Sequence, residues 1–381
     1  MSRLLSPEHR ELRELARKFA TEEVAPRRLE ADEGPEFLKE INLRAGKLGL
    51  PRTVAPRELG GHNLGQLGGV LVIEELARES GGVALSVMIQ MTFPMIMALC
   101  PDAAGRWLEA AFDGRTNLCA AFSDPVGIAN YSEHPDIARR DGDEFVINCR
   151  RNYVTQGTFA DVIGVAGVHD DDFWMFWVPA DTPGVSIEPM RKMGVGAPWG
   201  GITLEDVRVP ATLASDLSFV VKDREIANVD GGAAASVVNI SAWSLGLATG
   251  VHEKTVAFVK ARTVRGRPLG SLQAIQHRLV RQRERIEAAR SMLYDAANAR
   301  DHGEGDSVLD HLVKTFVSET AADVARDCVT IHGGRGYLKD GGIEIYLREA
   351  IGGLIAECPT DMHYSTAAYL MGLPGAEPGA F

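Results

Sequence analysis

Cysteine is scarce in this chain: Cys100, Cys119, Cys149, Cys328 and Cys358 are far apart, odd in number and never spaced as C-x-x-C. That pattern argues against a disulfide framework or a zinc-type ligand set, so no metal site is expected and a cytoplasmic setting is. Long apolar runs are missing too. The longest, Val87 to Cys100, is broken by Gln90, Thr92 and Pro94. It falls short of the ~20 residues a membrane span needs and reads as a buried helix pair. The first residues (Arg3, then Glu8, His9, Arg10 and Glu11) do not form the apolar stretch of a secretory signal and are expected to join the fold. Positive charge is in deficit, with 40 Lys plus Arg against 52 Asp plus Glu. A net charge of −12 disfavours general affinity for nucleic acid or anionic lipid. No internal repeat is visible.

What is present is ordinary globular composition, 45% hydrophobic and 24% charged, in a chain of 381 residues. That length exceeds what one compact core serves, so two or three domains are expected. Ser6-Pro7-Glu8 is a helix start, with Leu12, Leu15, Ala16 and Phe19 following at helical spacing, and a helical region runs to about Gly114. From Thr116 to about Leu213 short β-branched and aromatic runs alternate with turn residues. The expected strands are Glu144 to Asn148, Tyr153 to Thr155, Asp161 to Val168, Phe173 to Val178 and Gly201 to Val209. Asp141-Gly142-Asp143 and Asp170-Asp171-Asp172 supply hairpin turn chemistry. Beyond Asp223, helical periodicity takes over in Ser236 to Arg262, Leu272 to Arg300 and Val308 to His332, and the Gly-Pro-rich tail after Leu373 is expected to fray.

Six segments stand out from this background: Ala120-Ala121-Phe122-Ser123-Asp124-Pro125, Arg151-Asn152-Tyr153-Val154-Thr155-Gln156-Gly157, Met193 to Gly201 with Glu205-Asp206-Val207-Arg208-Val209-Pro210, Arg262 to Leu269 with Gln273-Ala274-Ile275-Gln276, Ile331-His332-Gly333-Gly334-Arg335-Gly336-Tyr337, and Tyr346 to Glu357. The Gly-x-Gly within Met193 to Gly201 is not a dinucleotide fingerprint, because Pro198 and the strand after it do not give strand, turn and helix in succession. Read singly, the Tyr153 strand also suits plain core, the Arg262 run a solvated basic helix end, and Glu357 a surface carboxylate. In their order and register the segments resemble the acyl-CoA dehydrogenase flavoproteins from end to end.

That resemblance implies an α+β multidomain fold: an N-terminal helical domain (1–115), a middle β-barrel or sandwich domain (116–222) and a C-terminal four-helix-bundle domain (223–381). It implies FAD, with Ser123 facing the flavin beside Phe122, Tyr153 stacking on it and Thr155 hydrogen-bonding to it. An aromatic face with one hydroxyl suits a ring that is apolar in area and polar at its edges. Arg262 and Gln273 would reach the FAD of a neighbouring subunit, a guanidinium being able to grip a pyrophosphate bidentately. Gly333 and Gly334 would let backbone amides approach the cofactor's phosphate and adenosine portion, and Thr360 would contact the same cofactor. Glu357 would be the base that removes the proton alpha to a thioester carbonyl while the beta hydrogen leaves as hydride to flavin N5. The enolate oxygen would be met by the Glu357 backbone N–H and a ribityl hydroxyl.

An acyl-CoA substrate, an electron-transferring flavoprotein as acceptor and a homotetramer follow from the same resemblance. Departures from the pattern point to a non-standard acyl group. Cys358-Pro359 intervenes between Glu357 and Thr360, Arg265 replaces an aromatic residue, Thr330 a glutamine and Val237 an arginine, and Val126 to His134 replaces a Gly-Ser-Asp loop. They leave two alternatives open: a flavoenzyme of the same fold with different chemistry or a non-CoA substrate, and a FAD-poor non-catalytic subunit of a hetero-oligomer.

Overall fold

A computed structural model describes residues 5–32, 34–123, 136–194, 196–218 and 233–377. The first helix, α1 (Pro7–Phe19), starts where the Ser6-Pro7-Glu8 signal places it: the Ser6 hydroxyl accepts from the His9 amide and the His9 ring accepts from the Ser6 amide. The Val126 to His134 segment and Asp124-Pro125 lie outside the described residues. Three further long helices, α2 (Pro35–Lys47), α3 (Gly65–Ala77) and α4 (Gly81–Met97), follow, and short helical turns from Pro101 to Phe112 lead into the first strand. Val87 to Cys100 reads in sequence as a helix pair; instead Val87 to Met97 is the second half of one continuous α4 that carries Pro94 inside it, and Ala98 to Cys100 turn away from its end. Proline there forfeits a single backbone bond, and it does so one turn from the helix end, between the buried Met91 and Met97 three residues to either side. Among the described residues no helix is long and apolar enough to cross a membrane.

Strands occupy the middle. One sheet orders β1 (Leu118–Ala121), β4 (Val162–His169), β5 (Asp172–Pro179) and β8 (Ala214–Asp216), with β1 parallel to β4. The other orders β2 (Ala138–Asp141), β3 (Glu144–Thr155), β7 (Trp199–Pro210) and β6 (Val185–Met190), all antiparallel. Phe145 of one sheet meets Phe176 of the other at 5.2 Å, edge to face, within a core that both sheets share. Both expected turns are present. Gly142 takes φ 65° between β2 and β3, and Asp170 and Asp171, at φ 49° and 65°, close β4 onto β5. The separate strands expected at Glu144 and Tyr153 are one long β3, whose register slips twice, once between Arg151 and Val154. The bulge that turns Tyr153 to φ 58° interrupts the alternation and reads, in sequence, as a strand end.

Among the described residues the longer helices of the C-terminal part are α5 (Ala233–Ala261), α6 (Gln273–Asp301), α7 (Ser307–His332), α8 (Glu344–Ile355) and α9 (Thr360–Leu370), with a single turn at Gly334–Tyr337 after α7. They do not form a core of their own. Leu12, Phe19, Val70, Leu71 and Ile73 from the N-terminal helices sit in the same hydrophobic cluster as Trp243, Leu247, Leu293, Val317 and Ala350, while the sheets keep a separate one. The two helical regions, far apart in sequence, are one packed body with the β layer against it.

Candidate active site

Helix α8 carries Arg348 and Glu349 on its body, and the chain leaves it through Ala356 in extended conformation. Glu357 and Cys358 then take φ 50° and 77°, left-handed values that cost a side-chain-bearing residue energy unless neighbours fix them. Pro359 follows and α9 begins at Thr360. The Glu357 carboxyl accepts a 2.7 Å hydrogen bond from the Ser236 hydroxyl, in the first turn of α5. Glu357 stays open to solvent, yet the protein mass around its carboxyl pushes its pKa above the usual carboxylate range. The Ser236 hydrogen bond and the charge of Lys314 pull the other way.

Beneath this turn lie Lys314 of α7, fully buried, and two buried imidazoles, His311 of α7 and His363 of α9. Lys314 Nζ donates to the carbonyls of Cys358 (3.0 Å) and Leu354 (3.3 Å), and His363 Nε2 meets the Glu357 carbonyl at 2.6 Å. Burial lowers Lys314 to about 8, against the raising influence of Cys358, Glu357 and Glu319. Burial also raises the Cys358 thiol to about 11. These groups, together with Ser236, escaped the sequence reading. One signal was available: His311, Lys314 and Ser318 recur at i, i+3 and i+7 amid the apolar stripe of Val313, Val317 and Ala321.

The β layer meets α8 through the Met193 to Gly201 segment. Arg348 Nη1 donates to the Met193 carbonyl at 3.2 Å, and the Cβ that Gly194 lacks would lie 3.1 Å from the buried Glu349 carboxyl. Beside that segment Tyr153 is half exposed, its ring edge-on to Trp199 at 5.7 Å and its amide against Met190 Sδ at 3.3 Å. The Asn152 amide donates to the Ser123 carbonyl at 2.9 Å, which sets the partly buried Phe122 and Ser123 beside the strand of Tyr153 and Thr155. The structure thus gathers Phe122, Ser123, Tyr153 and Thr155 on one edge of the β layer and ties that edge to the helix preceding Glu357 and Thr360.

The remaining predicted residues are elsewhere. Arg262, just after α5, and Gln273, the first residue of α6, are both exposed. Gly333, at φ 60°, and Gly334 follow α7, and a Cβ on either would meet nothing within 4 Å. Two contacts bring these four to one end of the bundle: His332 stacks on Phe258 at 4.0 Å, and Arg278 donates to Thr330 Oγ1 at 2.6 Å. A cavity of about 400 Å³ opens there, rimmed by Arg28, Lys254 and Arg335, with His332 and Phe258 in its wall. Phe258 lies 22 residues beyond Ser236 on α5, about 33 Å at 1.5 Å per residue, so this end is remote from Glu357. One chain does not unite the two groups.

The residues fit a flavin nucleotide in two parts: an exposed aromatic face with hydroxyls nearby at the β edge, and open glycine backbone beside cations at the bundle end. Pro359 offers no N–H, so the backbone just after Glu357 has one donor fewer.

Sequence models of three domains match: acyl-CoA dehydrogenase, N-terminal domain, over residues 6–115; middle domain, over 119–207; and C-terminal domain, over 234–370. The chain is 31% identical to the probable acyl-CoA dehydrogenase YngJ of Bacillus subtilis over 358 residues, covering 91% of this chain and 93% of that one. It is 30% identical to cyclohex-1-ene-1-carbonyl-CoA dehydrogenase of Geobacter metallireducens, covering 91% and 93%. Its fold superposes on a glutaryl-CoA dehydrogenase of Mycobacterium smegmatis in complex with FADH2 with a TM-score of 0.88, at 23% identity, over 99% of this chain and 97% of that one.

Proposed function

We propose that this chain, which belongs to the acyl-CoA dehydrogenase family, desaturates an acyl-CoA thioester between its alpha and beta carbons, with FAD as cofactor and Glu357 as base. The observation that carries this reading is the Glu357 carboxyl: accessible, held by Ser236 at 2.7 Å, and raised in pKa at the point where α8 ends. When bound, FAD supplies the oxidant that takes up the beta hydrogen as hydride.

Glu357 must start ionised to accept the alpha proton, and its raised pKa makes it a stronger base than a free carboxylate. The Ser236 hydroxyl orients the carboxyl and, with Lys314, keeps it ionised against the cost of its surroundings. As the proton leaves the substrate, negative charge grows on the thioester oxygen. The Glu357 backbone N–H is the donor this chain offers there. Phe122, Ser123, Tyr153 and Thr155 would hold the flavin ring, and Thr360 would add a contact to the same cofactor.

Arg262, Gln273, Gly333 and Gly334 stand too far from Glu357 to serve the same cofactor within one chain, which supports contribution across a subunit boundary in a homotetramer. An electron-transferring flavoprotein is the acceptor this reading implies. The relative from Geobacter metallireducens is named for a cyclic acyl group, and the Cys358-Pro359 and Arg265 departures support a non-standard acyl group here too. The division at 1–115, 116–222 and 223–381 belongs to the same proposal.

Anaerobic mixing of the purified yellow protein with a panel of acyl-CoA thioesters tests it. At least one thioester should bleach the flavin bands, and Glu357→Gln should abolish the bleaching while keeping bound FAD. Undiminished bleaching in Glu357→Gln refutes the base. A colourless protein that fails to take up FAD favours the non-catalytic subunit of a hetero-oligomer.

A further inference from the structure

A helix that ends leaves carbonyls without intrahelical partners, and the usual remedy is a glycine in left-handed conformation that lets the chain fold back onto them. Helix α8 ends otherwise. After the extended Ala356 it places two side-chain-bearing residues, Glu357 and Cys358, in left-handed conformation before a proline. Such a turn persists only where its surroundings fix it from several sides. Here they do so from α7 and α9. Lys314 Nζ spans the carbonyls of Leu354, in the last turn of α8, and Cys358, one residue past Glu357. His363 Nε2 takes the carbonyl of Glu357 itself.

Lys314 is 0% exposed, and the bonds found for it among the described residues go to backbone carbonyls. Burying an ammonium without a carboxylate on it is costly, and replacing it with an apolar side chain would relieve that cost, so stability alone does not account for it. A cation at a helix C-terminus, by contrast, meets the negative end of the helix dipole. The imidazole pair is consistent with one protonation pattern. His363 Nε2–H donates to the Glu357 carbonyl, its Nδ1 accepts, and His311 Nδ1–H donates to it at 2.7 Å. His363 stays neutral, since burial, Lys314 and His311 lower it to about 3.

We propose that Lys314 is a positioning residue for the base: by clamping the carbonyls of Leu354 and Cys358 it fixes the turn that presents the Glu357 carboxyl, with His363 as a second strut. The inference rests on the reading of Glu357 as base. The same charge favours ionised Glu357. The titratable groups that bear on Lys314 are Glu357 and Cys358 of the turn, His363 of α9, and Glu319 and His311 of α7 itself; α5 contributes the uncharged Ser236 through Glu357.

The test is Lys314→Met in the FAD-loaded enzyme, which keeps the length and removes the charge. Two quantities are read: the acid limb of kcat/KM against pH, and the carboxylate infrared band of Glu357, isolated with 13C-glutamate labelling by subtracting Glu357→Gln. Both should move to higher pH by about one unit, the usual minimum effect of removing a nearby opposite charge. A merely structural lysine would change the melting temperature and leave both titrations where they are, and that result overturns the proposal. If Lys314→Met does not fold, the reciprocal measurement uses folded Glu357→Gln with 13Cε-labelled lysine. The lysine titrating near 8 should titrate at lower pH once Glu357 is neutral; an unchanged value overturns the proposal. If Glu357→Gln bleaches the flavin as wild type does, the base reading fails, while the infrared shift still reports on Lys314 separately.

Discussion

Glu74 of α3 is buried beneath the C-terminal bundle, where Arg290 of α6 reaches it with Nε at 3.0 Å and Nη2 at 2.9 Å and the Tyr294 hydroxyl donates to its other oxygen at 2.6 Å. Arg290 also donates to Thr249 of α5 at 2.8 Å, so one guanidinium joins the N-terminal helices to two helices of the bundle. Both ionic side chains are nearly dry, 4% and 12% exposed, which separates this pair from the surface bridges elsewhere in the chain. Arg290→Met leaves the Glu74 carboxylate with one neutral donor. The expected loss is about 3–5 kcal/mol, the cost of stranding one member of a buried pair. Tyr294→Phe removes a single hydrogen bond to a charged group and should cost about 1.5–3 kcal/mol. Replacing both charges, in Glu74→Leu with Arg290→Met, should cost less than the single Arg290→Met, because no charge is left unpaired. Since a chain of this size need not unfold in one step, native-state hydrogen exchange of α3 and α6 amides is the better assay, with melting temperatures in support. Protection in Arg290→Met within about 1 kcal/mol of wild type, or strict additivity in the double variant, would refute the reasoning.

Three further outcomes are expected. Ser236→Ala removes the hydrogen bond that favours ionised Glu357, so the acid limb of kcat/KM should shift to higher pH with FAD content unchanged; an unmoved limb denies Ser236 this role. His363 has a folded pKa of about 3 against an ordinary value of 6.5, so its stabilising contribution is complete above 6.5 and lost as pH falls from there towards 3. His363→Gln should flatten the decline in melting temperature across that window, and an identical slope would count against the assignment. Gly82→Ala would put a Cβ 2.6 Å from the Gly196 Cα, forcing α4 and the Met193 to Gly201 segment apart; a loss of about 1–3 kcal/mol and weaker FAD retention are expected, both readable by melting and absorbance.

The helices of the C-terminal part were legible because their period is long and sustained: the expected Ser236 to Arg262 appears as Ala233–Ala261, and Val308 to His332 as Ser307–His332. Interruptions misled where local chemistry was tolerated by burial, as at Pro94 inside α4, or marked a bulge, as at Tyr153 within β3. The spacing from Arg348 to Glu357 was local enough to read as well, since the two residues sit on one helix and the turn that ends it.

What supports Glu357 was not legible, because it comes from elements scattered along the chain: Ser236 opens α5, Lys314 and His311 lie mid-helix in α7, and His363 is in α9. Each is an unremarkable residue type at helical spacing until the fold closes around the turn. The same scattering accounts for the separation of the predicted cofactor residues. Arg262, Gln273, Gly333 and Gly334 share one end of the bundle, and the length of α5 keeps them from Glu357. If a second copy carries that bundle end to the first copy's β edge, dissociating the assembly should release FAD without unfolding the turn at Glu357. Loss of flavin absorbance from the protein should therefore track dilution and subunit dissociation, measured together by analytical ultracentrifugation. Flavin retained at full occupancy by a monomer would show that one chain suffices, and Arg262 would then need another role.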